Sequence, residues 1–206
     1  FAENDETKDC RVCGSLASLA GLESALEQNN PMLIEFAVKR ILLIHSIILS
    51  IGGIPLLYSG DELGLLNDYS YRSDPEKEHD ERWVHRLEVN DSDVAKTQQI
   101  SSPFNDISNG LQKMIEIRQQ HKVFGTADTS ILDVGNDHIF TYQRELKMPV
   151  DSGEKTKFIA LCNFSENVQT VESKHIVSGQ FLPSTDLIAG VVYKSLPLQI
   201  NLAPYQ

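Results

Sequence analysis

An adjacent pair of acids, Asp61 and Glu62, stands in the stretch GGIPLLYSGDELGLLNDYSY, residues 52–71. Two carboxyl groups are what a retaining glycosidase needs, about 5–5.5 Å apart and both facing the substrate. Adjacent residues of an extended segment point to opposite sides of the chain. We therefore predict that this pair does not supply acid and nucleophile together, and that one of the two carboxylates holds the loop in place.

The loop DPEKEHDERWVHR, residues 74–86, is dense in charge. Its acids are hard oxygen ligands of the kind that a metal ion prefers, but they lack EF-hand spacing and its required glycine. A solvated loop with balanced charges is the alternative. Trp83 beside arginine and acids would suit sugar binding, and a packing role for that tryptophan is the other interpretation. The acids are Asp74, Glu76, Asp80 and Glu81, and the cations are Lys77, Arg82 and Arg86.

Cys10 and Cys13 form a C-x-x-C, but not at the strand-to-helix junction that a thioredoxin motif requires. A zinc site would need further ligands, and Cys162 has no nearby pair of histidines in sequence. The sequence has no glycine-rich phosphate loop and no serine elbow. We predict no cofactor and no metal. So few cysteines favour a reducing compartment, hence a cytoplasmic protein.

The charge balance restricts the partners. The net charge is -11 and the pI is about 4.9, so phosphate backbones and anionic lipids are repelled. We expect no nucleic acid and no membrane partner, whereas a neutral sugar is compatible. The apolar stretch of residues 32–50 has the length of a membrane span, but Glu35, Lys39, Arg40 and His45 interrupt it. We predict a buried helix of a globular domain.

The elements around the loop predict an α/β unit. Asn30-Pro31 is a helix-start signal, and Gly52-Gly53 ends that helix. The short apolar run IPLLY, residues 54–58, predicts a strand buried on both faces. A long polar loop then leads to a helix at residues 107–121, capped by Asn105 or Asp106.

From about Gly125 the sequence changes to short runs bounded by turn residues, which is typical of an antiparallel sandwich. The runs are SILDV, HIFTYQRE, KFIALCNFS, VQTVES, GVVYKS and LQINL. We predict an α/β domain at residues 1–124 and an all-β domain at 125–206. One strand cannot close a parallel sheet, and a (β/α)₈ barrel needs about 250 residues. The first domain is therefore expected to be the C-terminal end of a larger TIM barrel.

Four stretches resemble a known family. GGIPLLYSGDELG resembles the last-strand motif of the α-amylase superfamily. DCRVCGSLASLAGLE (residues 9–23) and LNDYSYRSDPEKEHDERWVHR (66–86) resemble segments of amylosucrases, and CNFSENVQTV (162–171) matches their N-F-S-E followed by Q-T-V. Cys13 stands where the family has serine. The resemblance covers essentially the whole chain.

The resemblance implies a retaining enzyme that moves glucose from sucrose to an α-1,4-glucan, or to water, and releases fructose. The family's nucleophile, general acid and stabilising aspartate precede the D-C-R-V segment and have no counterpart here, so we expect the chain alone to be inactive. By motif, Arg11 and Arg82 correspond to substrate-binding arginines on the acceptor side of the pocket. A planar guanidinium with several donors suits that task. Without the resemblance, the residue types alone predict that Arg11 and Arg82 form ion pairs on the surface.

Two further expectations concern partners. The chain stops at LAPYQ, where the family continues into a short strand, so the sandwich could expose a sheet edge and self-associate. The alternative function is a stand-alone carbohydrate-binding or interaction module derived from such an enzyme. Against it, the sole tryptophan, Trp83, lies outside the predicted sandwich.

Overall fold

The computed structural model describes residues 6–8, 10, 12–146, 157–177 and 183–206, which form two compact units. Unit 1 comprises the described residues up to Ile41 together with Leu57–Gly110. Unit 2 comprises Leu42–Leu56 together with the described residues from Leu111 onward. Helices occur in both units and antiparallel sheets in unit 2, so the predicted mixture of helices and antiparallel strands is confirmed. The end of a TIM barrel, the sandwich and the domain division at residue 124 stay predictions.

The described residues form six α-helices and several single 3-10 turns. The helices are α1 (Leu16–Leu19), α2 (Leu22–Glu27), α3 (Pro31–Ser50), α4 (Asp91–Thr97), α5 (Pro103–Gln120) and α6 (Val123–Thr126). The 3-10 turns include Asp61–Leu63, Ser70–Ser73 and Glu81–His85, all in the long polar loop. Short helical segments thus recur along the irregular sequence between α3 and α5, while most of its residues lie in turns and loop.

Helix α3 begins where the sequence predicts. The Asn30 Oδ1 atom accepts the N–H groups of Met32 at 3.1 Å and of Leu33 at 3.3 Å. Pro31 takes the first helical position, where its missing N–H costs nothing. The predicted cap and first-turn signal are confirmed.

The remainder of α3 also follows the prediction. Glu35 and Lys39, two of the charged residues that interrupt the apolar stretch, form an ion pair of 2.7 Å across one turn. The helix ends at Ser50, and Gly52 and Gly53 follow with φ of 131° and 71°, a backbone that side chains rarely adopt. Among the described residues, no helix is long and apolar enough to cross a membrane.

The predicted strand at residues 54–58 is wrong for this chain. The segment forms no regular secondary structure and pairs with no described strand, and the side chains of Ile54 and Leu56 are 96% and 83% exposed. A buried parallel strand needs a hydrogen-bonded neighbour, and no described residue supplies one. The local sequence carries no information about the neighbours that would bury the segment.

Helix α5 begins earlier than predicted. It starts at Pro103, and the Ser102 Oγ atom accepts the N–H of Asn105 at 3.0 Å, so Ser102 is the cap rather than Asn105 or Asp106. A serine followed by proline satisfies both preferences of a helix start, because the hydroxyl accepts an orphan N–H and proline has none to lose.

The six predicted β runs all form strands, and one strand was missed. A three-stranded antiparallel sheet has the order β1-β2-β3, and β4-β7 and β5-β6 form two-stranded sheets. The missed strand, β5, is only three residues long, too short for alternation to reveal. The strands are β1 (Asp128–Leu132), β2 (Ile139–Glu145), β3 (Lys157–Asn163), β4 (Gln169–Glu172), β5 (Ser184–Asp186), β6 (Val191–Tyr193) and β7 (Gln199–Leu202).

The core of unit 2 joins the end of α3 to the three-stranded sheet. Leu43 of α3 packs with Tyr142 of β2 and with Ala160 and Cys162 of β3. A second cluster joins strands and loops farther along the chain, namely Val134, Ile139, Val171, Ile176 and Leu202. Both clusters use the inward-facing positions of alternating strands, which is how one sheet face becomes a core.

Alkaline pH is expected to weaken unit 2 through Tyr142. Burial raises the pKa of this phenol from 10.0 to about 12, although its hydroxyl meets Ser50 Oγ at 2.5 Å. Burial likewise raises the pKa of the Cys162 thiol to about 12. Raised values mean that the folded state favours the neutral groups, so their contribution is complete below the ordinary values and is lost as the pH rises towards about 12.

Urea unfolding at a series of alkaline pH values checks this expectation. The free energy of unfolding should fall between pH 10 and about 12, and less steeply in Tyr142→Phe, which cannot ionise. Tyr58→Phe, at an exposed tyrosine, is the matched control. Parallel pH profiles of the wild-type chain and Tyr142→Phe would contradict the assignment.

Candidate functional site

The acid pair opens the polar loop of unit 1. Gly60 and Gly64 have φ of 100° and 65° and bracket the 3-10 turn Asp61–Leu63. The Glu62 Oε2 atom accepts the N–H of Gly60 at 2.8 Å. This carboxylate therefore fastens the turn, the role predicted for one acid of the pair.

Arg82 is held by Asp80 through a two-pronged ion pair. Its Nε atom donates to Asp80 Oδ1 at 2.7 Å and its Nη2 atom to Oδ2 at 2.8 Å, while the Arg82 N–H donates to Oδ1 at 3.1 Å. Chiefly because of the side-chain hydrogen bonds from Arg82, the pKa of Asp80 falls from 3.8 to about 2. Asp80 also caps the turn Glu81–His85. The pair presents an oriented, exposed guanidinium whose Nη1 atom is not used by Asp80.

Arg11, the other arginine predicted to bind substrate, lies outside the described residues. The segment that follows it is described from Val12 onward, and Cys13 packs with Tyr71 and Val84 in one buried cluster. Cys13, which follows the D-C-R-V segment, and Val84 of the R-W-x-H-R segment are thus brought together from distant parts of the sequence. Sequence spacing alone could not predict this meeting, because about seventy residues separate Cys13 from Val84.

Asn67 fastens the polar loop to helices α1 and α2. Its Oδ1 atom accepts the N–H of Ser15 at 2.8 Å, and its own N–H donates to Ser18 Oγ at 2.9 Å. Its Nδ2 atom donates to Glu23 Oε2 at 3.1 Å and to Tyr69 Oη at 3.0 Å. The sequence analysis missed this residue, because a single loop asparagine carries no periodic signal.

Trp83 is flanked by cations. The Lys77 Nζ atom and the Arg86 Cζ atom each lie 5.0 Å from the centroid of its ring. The tryptophan is half-buried and packs against the Cys13–Tyr71–Val84 cluster. The packing interpretation is therefore correct for part of its surface. The charge-balanced loop is also confirmed, because Lys77 meets Asp74 at 3.4 Å and Arg86 meets Asp80 at 3.5 Å.

His85, two residues after Trp83, contacts Tyr58. Its ring lies edge-on to that of Tyr58, with centroids 6.0 Å apart and planes at 69°. The His85 Nδ1 atom is buried and has no hydrogen-bond partner among the described residues.

The cysteines and acids of the described residues form no metal cluster. Cys10 is exposed, Cys13 and Cys162 are buried, and all three are free thiols. Within the described ranges, no three histidines, cysteines or acids come close enough together to hold a metal ion.

No family model matches the chain. The chain is 22% identical over 168 residues to glucosylglycerate phosphorylase of Escherichia coli (strain K12), which covers 81% of this chain and 27% of the relative. The chain thus spans about a quarter of that enzyme's length.

Solved structures share the fold. A mutant of AmyP in complex with maltotriose superposes with a TM-score of 0.59 at 15% identity, over 83% of this chain and 34% of that one. A mutant isomaltulose synthase from Erwinia rhapontici NX5 with D-glucose gives 0.54 at 19%, over 88% and 39%. The isomaltulose synthase SmuA from Protaminobacter rubrum gives 0.51 at 18%, over 81% and 37%. The predicted resemblance to the α-amylase superfamily is confirmed at the level of fold.

Proposed function

We propose that this chain is the C-terminal portion of an amylosucrase-like enzyme. The parent enzyme transfers glucose from sucrose to an α-1,4-glucan, or to water, and releases fructose by a retaining mechanism. Residues 1–124 complete a (β/α)₈ barrel and residues 125–206 form a β-sandwich. The chain by itself is inactive, because the acids of the covalent glycosyl step lie in the remainder of the parent. The parent is cytoplasmic and uses no cofactor.

The unpaired segment at residues 54–58 is the observation that carries this proposal. Ile54 and Leu56 point almost entirely into solvent, and neither makes a backbone hydrogen bond to another described residue. Apolar side chains left open to solvent lose the burial that normally stabilises them, about 1.5–3 kcal/mol per large side chain. Strands supplied by the remainder of a barrel would bury this face and satisfy its backbone.

The role of Arg82 follows from its geometry. Asp80 fixes the guanidinium by two of its nitrogen atoms, which leaves Nη1 to donate to a hydroxyl of the substrate. Pre-ordering by Asp80 reduces the entropy lost when that hydroxyl binds. We propose the same substrate-binding role for Arg11, which lies outside the described residues. Both bind substrate and neither replaces the missing acids.

Fructose release from sucrose tests the proposal. The chain alone should release none, and the complete parent protein should release fructose at a measurable rate. In the parent, Arg82→Gln should lower kcat/KM by about 10–100-fold, since a charge-assisted hydrogen bond contributes about 1.5–3 kcal/mol. Arg72→Gln, at another exposed arginine of the same loop, should change it less than about twofold.

Two other results would contradict the proposal. Fructose release by the chain alone would contradict the claim that the acids of the covalent glycosyl step lie in the remainder of the parent. Equal losses in Arg82→Gln and Arg72→Gln would remove Arg82 from the substrate site.

Self-association through a sheet edge is a second part of the proposal. Strand β1 is the outer strand of its sheet, and four of its five residues are exposed. Such an edge presents unpaired backbone groups to a second copy of the chain. A strictly monomeric elution profile of the isolated chain at high concentration would count against it.

A further inference from the structure

We propose that unit 1 contains a binding site for a short uncharged oligosaccharide, in the cavity beneath the polar loop. The cavity has a volume of about 450 Å³ and is lined by residues between Leu65 and Phe104. Small-molecule sites in proteins generally fall between about 300 and 1,000 Å³. Arg82 does not line it, so this site is additional to the one proposed above and does not depend on it.

An apolar and aromatic floor suits the C–H faces of a sugar ring. Leu65 and Tyr71 are buried, and Trp83 and Phe104 are half-buried, and all four contribute to the lining. Aromatic and aliphatic surfaces of this kind provide most of the contact area in ligand sites.

The rim offers both donors and acceptors, which a polyol requires. One carboxylate oxygen of Asp68 accepts the N–H of Ser70 at 2.8 Å, and the other has no partner among the described residues. Lys77 meets Asp74 only at 3.4 Å, so its ammonium group can still donate to a hydroxyl. Arg86 uses one nitrogen on Asp80, at 3.5 Å, and has others to offer.

The charges favour a neutral ligand. The lining contains three basic and four acidic side chains, so an added anion would meet one more like charge than opposite charge. Most of these charges are already paired within the loop, as in Lys96 with Asp93 at 2.8 Å. Hydroxyl groups can bond to paired ions without breaking the pairs, whereas a second charge would compete with them.

Fluorescence of Trp83, the only tryptophan, reports directly on the cavity. Maltotriose added to the chain should give a saturable change with a dissociation constant of about 1 mM, confirmed by calorimetry. Asp68→Ala should weaken binding about tenfold while the far-ultraviolet circular dichroism stays unchanged. Arg72→Gln, outside the lining, is the matched control and should bind like the wild type.

Three results would overturn the site. One is the lack of any saturable change with maltotriose in either measurement. The second is tighter binding of glucose 6-phosphate than of glucose, since the lining should disfavour an anion. The third is loss of maltotriose binding in Arg82→Gln but not in Asp68→Ala, which would place the sugar elsewhere. Turnover by the parent enzyme plays no part in this test, so the two proposals can fail separately.

Discussion

Replacement of Arg144 by methionine is expected to lower the free energy of unfolding by about 3–5 kcal/mol. The side chain lies on β2 and is only 2% exposed, yet in the part of the chain that the structure describes its hydrogen-bond partners are carbonyl groups and not acids. Its Nη1 atom donates to the carbonyl oxygens of Ser50 at 3.1 Å and Phe124 at 2.9 Å, and its Nη2 atom to that of Ala127 at 2.6 Å. One guanidinium thus ties together the end of α3, helix α6 and the residue before β1.

The size of the effect follows from what the three carbonyl groups lose. Each buried acceptor left without a donor costs about 1–3 kcal/mol, and the lost cation also stabilised the negative end of α3. A smaller gain opposes this, because burial and the nearby Arg118 disfavour the charge and lower the pKa of Arg144. The loss exceeds the gain because methionine has no donor to offer any of the three carbonyls.

Urea unfolding measures the change. Arg144→Lys should recover only part of the stability, since a single ammonium cannot reproduce the planar fork. Arg72→Met, at an exposed arginine, is the control and should stay within about 0.5 kcal/mol of the wild type. An Arg144→Met chain as stable as the control would show that the carbonyls find other donors or water.

Replacement of Asn163 by leucine is the second large expected loss, about 3–4 kcal/mol. Asn163 ends β3 and is fully buried. Its Nδ2 atom donates to the carbonyls of Asn167 at 2.8 Å and Ala203 at 2.9 Å, and its Oδ1 atom accepts the N–H and hydroxyl of Ser165 at 2.9 and 2.8 Å. The amide therefore joins β3 to the turn that follows it and to the segment after β7.

Asn163→Asp changes the hydrogen-bonding groups of this side chain while keeping its volume nearly the same. Aspartate has nearly the same shape and keeps both bonds from Ser165, but it places a carboxylate against the carbonyls of Asn167 and Ala203. We expect a loss at least as large as in Asn163→Leu at neutral pH, and partial recovery at acid pH, where the carboxyl is protonated. Asn109→Leu, at an exposed position of α5, is the matched control.

Unfolding by urea, followed together with hydrogen exchange in β4 and β7, checks this second expectation. If Asn163→Leu leaves both the unfolding free energy and the exchange rates of these strands unchanged, the amide does not hold the segments together. The N-F-S-E motif would then owe its presence to something other than this network.

Much of the chain could be predicted from short-range pattern. The start of α3 needed only Asn30 and Pro31, and its end needed only Gly52 and Gly53, because caps and positive φ act over a few residues. The β runs were visible because turn residues separate them. A loop-holding role for one acid of the Asp61–Glu62 pair was predicted because adjacent residues point to opposite sides, and the structure gives that role to Glu62.

The remainder depended on residues that meet only after folding. Whether the segment at 54–58 is a strand depends on hydrogen-bonding neighbours, and a local pattern contains no information about those. In the sequence, Arg144 is one polar residue of a strand in which polar and apolar residues alternate. Only the fold places it against three carbonyl groups. The pairing of Asp80 with Arg82 is local and could have been foreseen. The cavity beneath the polar loop could not, because it is lined by 3-10 turns and helices whose packing distances no sequence spacing specifies.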